Sequence, residues 1–303
     1  MSDQITFWES NSITPLQKIN DPLIAAAGVE LYLKRDDLLH PQVSGNKWRK
    51  LKYNFLEAEK LGFNKIITFG GAYSNHIAAT AAAGRALGFQ TIGIIRGNEL
   101  HSHSNPTLFL AAANGMELIF VSREEYREKQ NLIETFGNDS YTLPEGGSNA
   151  LAVKGVAEVV PETVEQLGFR PTYLATAVGT GGTFAGLCSP TNIETRVLGF
   201  TVLKNGQYLL TDINHWIAQQ QPLENVSYEI FWDFHCGGYG KITPHLQHFM
   251  QDFEQRTNVF LDPIYTAKML FGIYEIIKRG NYFVAGDSIV ALHTGGLQGR
   301  KRK

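Results

Sequence analysis

Cysteine is scarce in this chain: Cys188 and Cys236 are the only two among 303 residues, and no Cys-x-x-Cys pair occurs. Two thiols so far apart make neither a disulfide framework nor a zinc site, so a reducing cytoplasm is the expected setting. Long apolar runs are missing too, and nothing approaches the ~18–20 residues that cross a bilayer. Met1, Ser2, Asp3 and Gln4 lack the basic segment and apolar stretch of a secretory signal. Neither sign of charge dominates, with 27 Lys+Arg against 29 Asp+Glu and a net charge of −2, so nucleic acid and anionic membranes are not expected partners. Charged residues make up 18% and hydrophobic ones 43%, which excludes a disordered or fibrous chain. The length exceeds the ~100–200 residues of a single domain and predicts two domains or one large α/β unit. The basic end, Gly299 to Lys303, reads as a solvated terminus.

Glycine, by contrast, is plentiful and clustered. The pairs Gly70-Gly71, Gly146-Gly147, Gly237-Gly238 and Gly295-Gly296, and the group Gly179 to Gly182, each close a short apolar run. Runs that stop at glycine and lead into alanine-rich helical stretches describe strand–turn–helix units. Strands are expected over Lys65–Phe69, Thr91–Ile95, Glu117–Val121, Thr172–Val178, Val197–Val202, Ser227–Phe231 and Ser288–Leu292, with helices from about Asn75 to Leu87 and from Thr183. Such alternation needs crossover connections and predicts a mostly parallel sheet with helices on both faces.

Ligands of parallel sheets bind where strands end and helices begin, because backbone N–H groups there lack partners. Three segments fit that place. Gly179-Thr180-Gly181-Gly182-Thr183 follows a strand, and its close glycines let several N–H groups converge, as a phosphate needs. A dinucleotide fingerprint would want glycine or alanine at Phe184, and no Gly-Lys-Ser/Thr completes a Walker loop. The bare alternative is a tight turn with no ligand. Lys47, in Ser44-Gly45-Asn46-Lys47-Trp48-Arg49-Lys50-Leu51, falls near a helix start, which disfavours a cation. It reads either as a solvated head group or as an amine whose pKa is lowered by the helix end and by Arg49 and Lys50. Tyr73-Ser74-Asn75-His76 again tops a helix. Capping explains Ser74 and Asn75 but not His76.

Together these segments resemble, in order and rough spacing, pyridoxal-phosphate enzymes of the tryptophan-synthase-β class. Within that class the chain is similar to the 1-aminocyclopropane-1-carboxylate (ACC) deaminase and D-cysteine desulfhydrase family. Leu31 to Leu38, Pro144 to Asn149, Leu261 to Tyr265 and His293 to Gly296 extend the resemblance over residues 30–297. It implies two open, mostly parallel twisted sheets flanked by helices. A discontinuous large domain would comprise residues 1–47 and 156–303, and a small one residues 48–155, with the cofactor in the cleft between. It also implies a homodimer acting on a small amino acid.

Carried over by residue, the resemblance makes Lys47 the lysine that binds the cofactor aldehyde and shuttles the substrate α-proton. Ser74 and Tyr265 become catalytic positions. Asn75 would bond the cofactor's phenolic oxygen, Gly179, Thr180, Gly181, Gly182 and Thr183 its phosphate, and Thr294 its pyridine nitrogen. A hydroxyl there leaves the ring a weaker electron sink than a carboxylate would, which suits substrates with a good β-leaving group. ACC deaminases carry a tyrosine and a glutamate where this chain has Ala291 and Leu292, so elimination from D-cysteine is expected above cyclopropane opening. His101 and His103 form a lone His-x-His expected in an exposed loop, and no metal is expected. Cys236 is expected as a buried small hydrophobe. Two rivals stand outside this activity. A nicotinamide-dependent oxidoreductase would leave Lys47 idle, and a silent binding protein would release no keto acid.

Overall fold

A computed structural model describes residues 3–10, 13–190 and 194–297. The ends of the chain, including the basic segment Gly299 to Lys303 and residues Met1 and Ser2, lie outside the described residues. Ten strands occur among the described residues: β1 Leu16–Lys18, β2 Glu30–Lys34, β3 Lys65–Gly71, β4 Gln90–Arg96, β5 Glu117–Val121, β6 Tyr141–Leu143, β7 Tyr173–Val178, β8 Arg196–Thr201, β9 Tyr228–Phe231 and β10 Ser288–Leu292. Six form one sheet in the order β1-β2-β10-β7-β8-β9, parallel throughout except for the antiparallel edge strand β1. The other four form a wholly parallel sheet, β5-β4-β3-β6. The expected pair of open, mostly parallel sheets flanked by helices is therefore present.

Strands covered on both faces read as unbroken apolar runs, which is why β3, β4, β7, β8 and β10 are legible in the sequence. Every residue of β10 is buried. The strands β1, β2 and β6 carry no such signal. Two of them span three residues, and β2 mixes Glu30 and Lys34 with its buried Leu31 and Leu33. Tertiary pairing makes β2 a strand: Lys34 is fully buried, and its ammonium donates to Glu162 at 2.7 Å and to the Thr14 carbonyl at 2.8 Å.

The helix Asn75–Leu87 shows how local rules and packing combine. Ser74 accepts the Ile77 N–H at 3.3 Å, and Gly88 ends the helix in the left-handed region at φ 77°. Its alanines are buried on nearly every side, so small side chains allow neighbours close approach. The helix Asn46–Lys60 packs against the helix Ala150–Ala157 in the same manner. A Cβ on Gly155 would stand 2.0 Å from the Arg49 carbonyl oxygen, so only glycine admits that contact. No helix among the described residues is long and apolar enough to cross a membrane.

Candidate active site

Three segments leave the C-terminal ends of β3, β7 and β10 and converge on one pocket, with the start of the Asn46–Lys60 helix as a further wall. The pocket holds about 560 Å³ of empty space, counting the part open to solvent. That is within the range of cofactor and substrate sites. Of the ten residues assigned from the sequence, Lys47, Ser74, Asn75, Gly179, Thr180, Gly181, Thr183, Tyr265 and Thr294 line it. Gly182 does not form its wall; it begins the buried helix Gly182–Cys188. The remaining lining comes from Asn46, Lys50, His76, Gly146 and Ala177.

Lys47 enters because of what precedes it. Gly45 has φ 65°, and a Cβ there would fall 1.8 Å from the Thr294 carbonyl oxygen. Asn46 donates its N–H to that same oxygen at 3.3 Å, and its side-chain amide donates to Thr183 Oγ1 at 2.7 Å. The helix start is thus pinned to the turns after both β7 and β10. Lys47 donates to the Gly146 carbonyl at 3.3 Å. Burial lowers its pKa to about 8.

The cause differs from the one the sequence suggested. Arg49 lies on another face of the helix, bonded to both oxygens of Asp36 at 2.7 and 2.9 Å and to Glu162 at 2.7 Å. Its charge is spent there, and desolvation alone accounts for the lowered Lys47 value. Lys50 does share the pocket. It donates to the Gly146 carbonyl at 2.5 Å and to Ser148 Oγ at 2.7 Å, and Ser148 bonds Thr180 Oγ1 at 2.6 Å. Burial and then the Lys47 charge push the Lys50 pKa well down.

The residues present fit a phosphorylated aldehyde. A Cβ on Gly179 would come within 3.0 Å of the Tyr265 ring, and one on Gly182 within 2.7 Å of Ser148 Oγ. The turn can therefore offer only backbone, flanked by the hydroxyls of Thr180 and Thr183. The first N–H groups of a helix have no carbonyl partner inside it. Two amines and no carboxylate line the pocket among the described residues, a donor set suited to an anion. Across the pocket Tyr265 lies beside Tyr239, with ring centroids 6.2 Å apart. Asp262 fixes the Tyr265 turn by accepting the N–H groups of Ile264, Tyr265 and Thr266 at 3.2, 2.7 and 3.2 Å. Burial nevertheless raises the Asp262 pKa to about 6. Thr294 places its hydroxyl 3.4 Å from that of Thr266.

Other expectations resolve outside the pocket. His101 and His103 sit in an exposed loop, and no group of three or more His, Cys, Asp or Glu among the described residues is placed to hold a metal. Cys236 packs against the core as a small hydrophobe but is half-buried, with φ 51°, so the expectation of a buried one is corrected in degree; Cys188 is the fully buried cysteine. Lys50 has a signal in hindsight, since a position three residues after Lys47 shares its helix face. His76 showed only as a polar residue that capping left over.

Comparison with known proteins points the same way. Residues 8–295 match the family described as pyridoxal-phosphate dependent enzyme. The chain is 30% identical to the bifunctional D-cysteine desulfhydrase/1-aminocyclopropane-1-carboxylate deaminase, mitochondrial, of Arabidopsis thaliana, over 97% of this chain and 79% of that protein. It is 28% identical to the D-cysteine desulfhydrase of Serratia proteamaculans (strain 568), over 94% of this chain and 92% of that one. A crystal structure described as an ACC deaminase homologue superposes with a TM-score of 0.83 at 26% identity, covering 99% of this chain and 96% of that chain.

Proposed function

We propose an activity from one premise: the chain belongs to the pyridoxal-phosphate dependent enzyme family, among its ACC deaminase and D-cysteine desulfhydrase members. The reading is α,β-elimination from D-cysteine, which loses its α-proton and its β-thiolate and, with water, yields pyruvate, ammonia and sulfide. One observation carries it. Among the described residues no carboxylate lines the pocket, and positions 291 and 292 are an alanine and a leucine buried in β10. The side chain offered at the end of that strand is the Thr294 hydroxyl, so the site suits a substrate whose own leaving group discharges the negative charge.

Pyridoxal phosphate, when bound, supplies an aldehyde for the substrate amine and a ring that accepts electrons from the α-carbon. The protein's residues do the rest. Gly179, Thr180, Gly181, Gly182 and Thr183 would hold the phosphate, Asn75 the phenolic oxygen and Thr294 the pyridine nitrogen. Lys47, with its pKa near 8, carries enough neutral amine around neutrality to take the α-proton. Ser74 uses its oxygen lone pair on the Ile77 N–H and keeps its own proton to donate to the substrate carboxylate. Tyr265, whose pKa is raised by burial, stays protonated and can give a proton to the departing sulfur. Residues 1–47 with 156–303, and residues 48–155, would be the two domains whose closure excludes water.

Cyclopropane opening is the second reading, favoured by that same Tyr265 phenol as a proton donor inside the pocket. Purified holoenzyme offered D-cysteine, L-cysteine, D-serine and ACC separates the two. Equal yields of pyruvate and sulfide, with D-cysteine preferred, are expected. A higher kcat/KM for 2-oxobutanoate from ACC would favour ring opening, and no keto acid from any of the four would sink both.

A further inference from the structure

His76 has a use that helix capping does not explain. Its ring is buried, with 1% relative exposure, and it lines the pocket beside Lys47. The Thr68 hydroxyl lies 2.7 Å from His76 Nε2 and 3.0 Å from the Leu143 carbonyl. A hydroxyl has one proton. Both contacts hold together only if that proton goes to the carbonyl and Nε2–H donates to the Thr68 oxygen. Nδ1 is then a bare lone pair, and among the described residues nothing donates to it. A buried acceptor left open in this way is unfavourable, and this one belongs to a side chain that lines the pocket.

Lys47 is the complementary case. Its amine has one long bond to the Gly146 carbonyl, an oxygen already engaged by Lys50 at 2.5 Å. The next residue, Gly147, abuts the imidazole, since a Cβ there would stand 3.0 Å from Nδ1. The under-bonded donor and the unfilled acceptor therefore flank the same Gly146-Gly147 step, and the lysine side chain has four rotatable bonds with which to cross it.

We propose that His76 Nδ1 is the second acceptor for the Lys47 amine. His76 is a positioning residue that holds the lysine whenever its nitrogen is not bonded to the cofactor. Thr68 keeps the ring in the tautomer that can do so. With the amine's N–H on the imidazole, its lone pair is directed away from Gly146 and toward the pocket. Burial and the two lysine charges keep the ring neutral, so it accepts a hydrogen bond without removing the proton Lys47 must manage.

The inference rests on Lys47 as the cofactor lysine, which loss of the visible cofactor band in Lys47→Ala tests separately. The test of His76 is the ¹⁵N resonance of its Nδ1 in the full chain, prepared with and without pyridoxal phosphate. Without cofactor the signal should be that of a hydrogen-bonded lone pair. It should move to the free value on loading, and in Lys47→Ala should hold that free value throughout. A signal unchanged by Lys47→Ala in the cofactor-free chain overturns the proposal. Two variants supply a kinetic check. His76→Asn keeps an acceptor near the Nδ1 position, whereas His76→Gln keeps the bond to Thr68 and loses that acceptor. The glutamine variant should lose about tenfold in kcat with KM changed less than about twofold, and the asparagine variant should retain more of kcat. Equal loss in both means a structural role only, and overturns it.

Discussion

The helix Asn46–Lys60 carries two groups of buried cations that meet opposite fates. On one face Arg49, 2% exposed, is bonded to Asp36 and Glu162, and Lys34 of β2 joins the same Glu162, so the buried cations there have carboxylate partners. On the face toward the pocket Lys47 and Lys50 find carbonyl and hydroxyl oxygens but, among the described residues, no carboxylate. Their pKa values fall, whereas that of Arg49 rises. Two residues of separation along one helix thus divide a cluster that fixes structure from one available for chemistry. Burial is common to both and lowers even the carboxylate-paired Lys34; for Arg49 its two carboxylate partners outweigh it.

Removing the amine on the reactive face should have the largest effect. Lys47→Ala is expected to abolish the visible cofactor band and to cut keto-acid formation by on the order of 10³-fold, with little loss of stability. Spectra and denaturation curves of the one variant check both halves. If turnover persists, the reactive face has been assigned to the wrong lysine.

On the paired face the outcome should invert. Arg49→Met leaves Asp36 a buried carboxylate without its cation, while Glu162 keeps Lys34, and should cost about 3–5 kcal/mol of stability. The visible band should remain wherever the protein is still folded. A variant that keeps its denaturation midpoint but loses the cofactor would erase the distinction between the faces.

A smaller change is expected at the glycine turn. Thr183→Val removes the acceptor of the Asn46 amide and a hydroxyl from the pocket wall. It should weaken cofactor retention about tenfold, the worth of one or two hydrogen bonds, and slow chemistry less. Equilibrium dialysis gives the first quantity and kcat at saturating cofactor the second. Unchanged affinity would take Thr183 out of the site.

The mildest signal is in pH. Lysine in the unfolded chain titrates near its ordinary value of 10.5, and Lys47 in the fold near 8. Between those values the unfolded chain binds more protons, so the free energy of unfolding of the cofactor-free protein should rise with pH from about 8 to 10.5. Lys47→Met should flatten part of that slope. Cofactor uptake, which needs neutral amine, should climb with pH and level off above about 8. Stopped-flow absorbance reads it, and uptake independent of pH would contradict a titrating amine.

Much of this is legible in the sequence alone. The strand Glu117–Val121, the strand Ser288–Leu292 and the helix Asn75–Leu87 have the bounds that apolar runs and caps predict. The three glycine and polar motifs do come together in one pocket. Other features could not be read along the chain. β2 is a strand through its pairing with β10 and its buried Lys34–Glu162 bond, both made with residues far away in sequence. Adjacency made Arg49 look like an influence on Lys47, but three-dimensional pairing gave its charge to Asp36. The tautomer of His76 depends on Thr68 and Leu143, which no local pattern links to it.

The sequence by itself determined where the apolar strands stop and their helices start, β1, β2 and β6 excepted, because glycine turns, caps and apolar periodicity are local properties of the backbone. It also set the order of the motifs that carry the family's chemistry. Only the tertiary structure decided which buried charges are paired and which are left to titrate, since the electrostatics of a group follow from neighbours in space and from the loss of water around it.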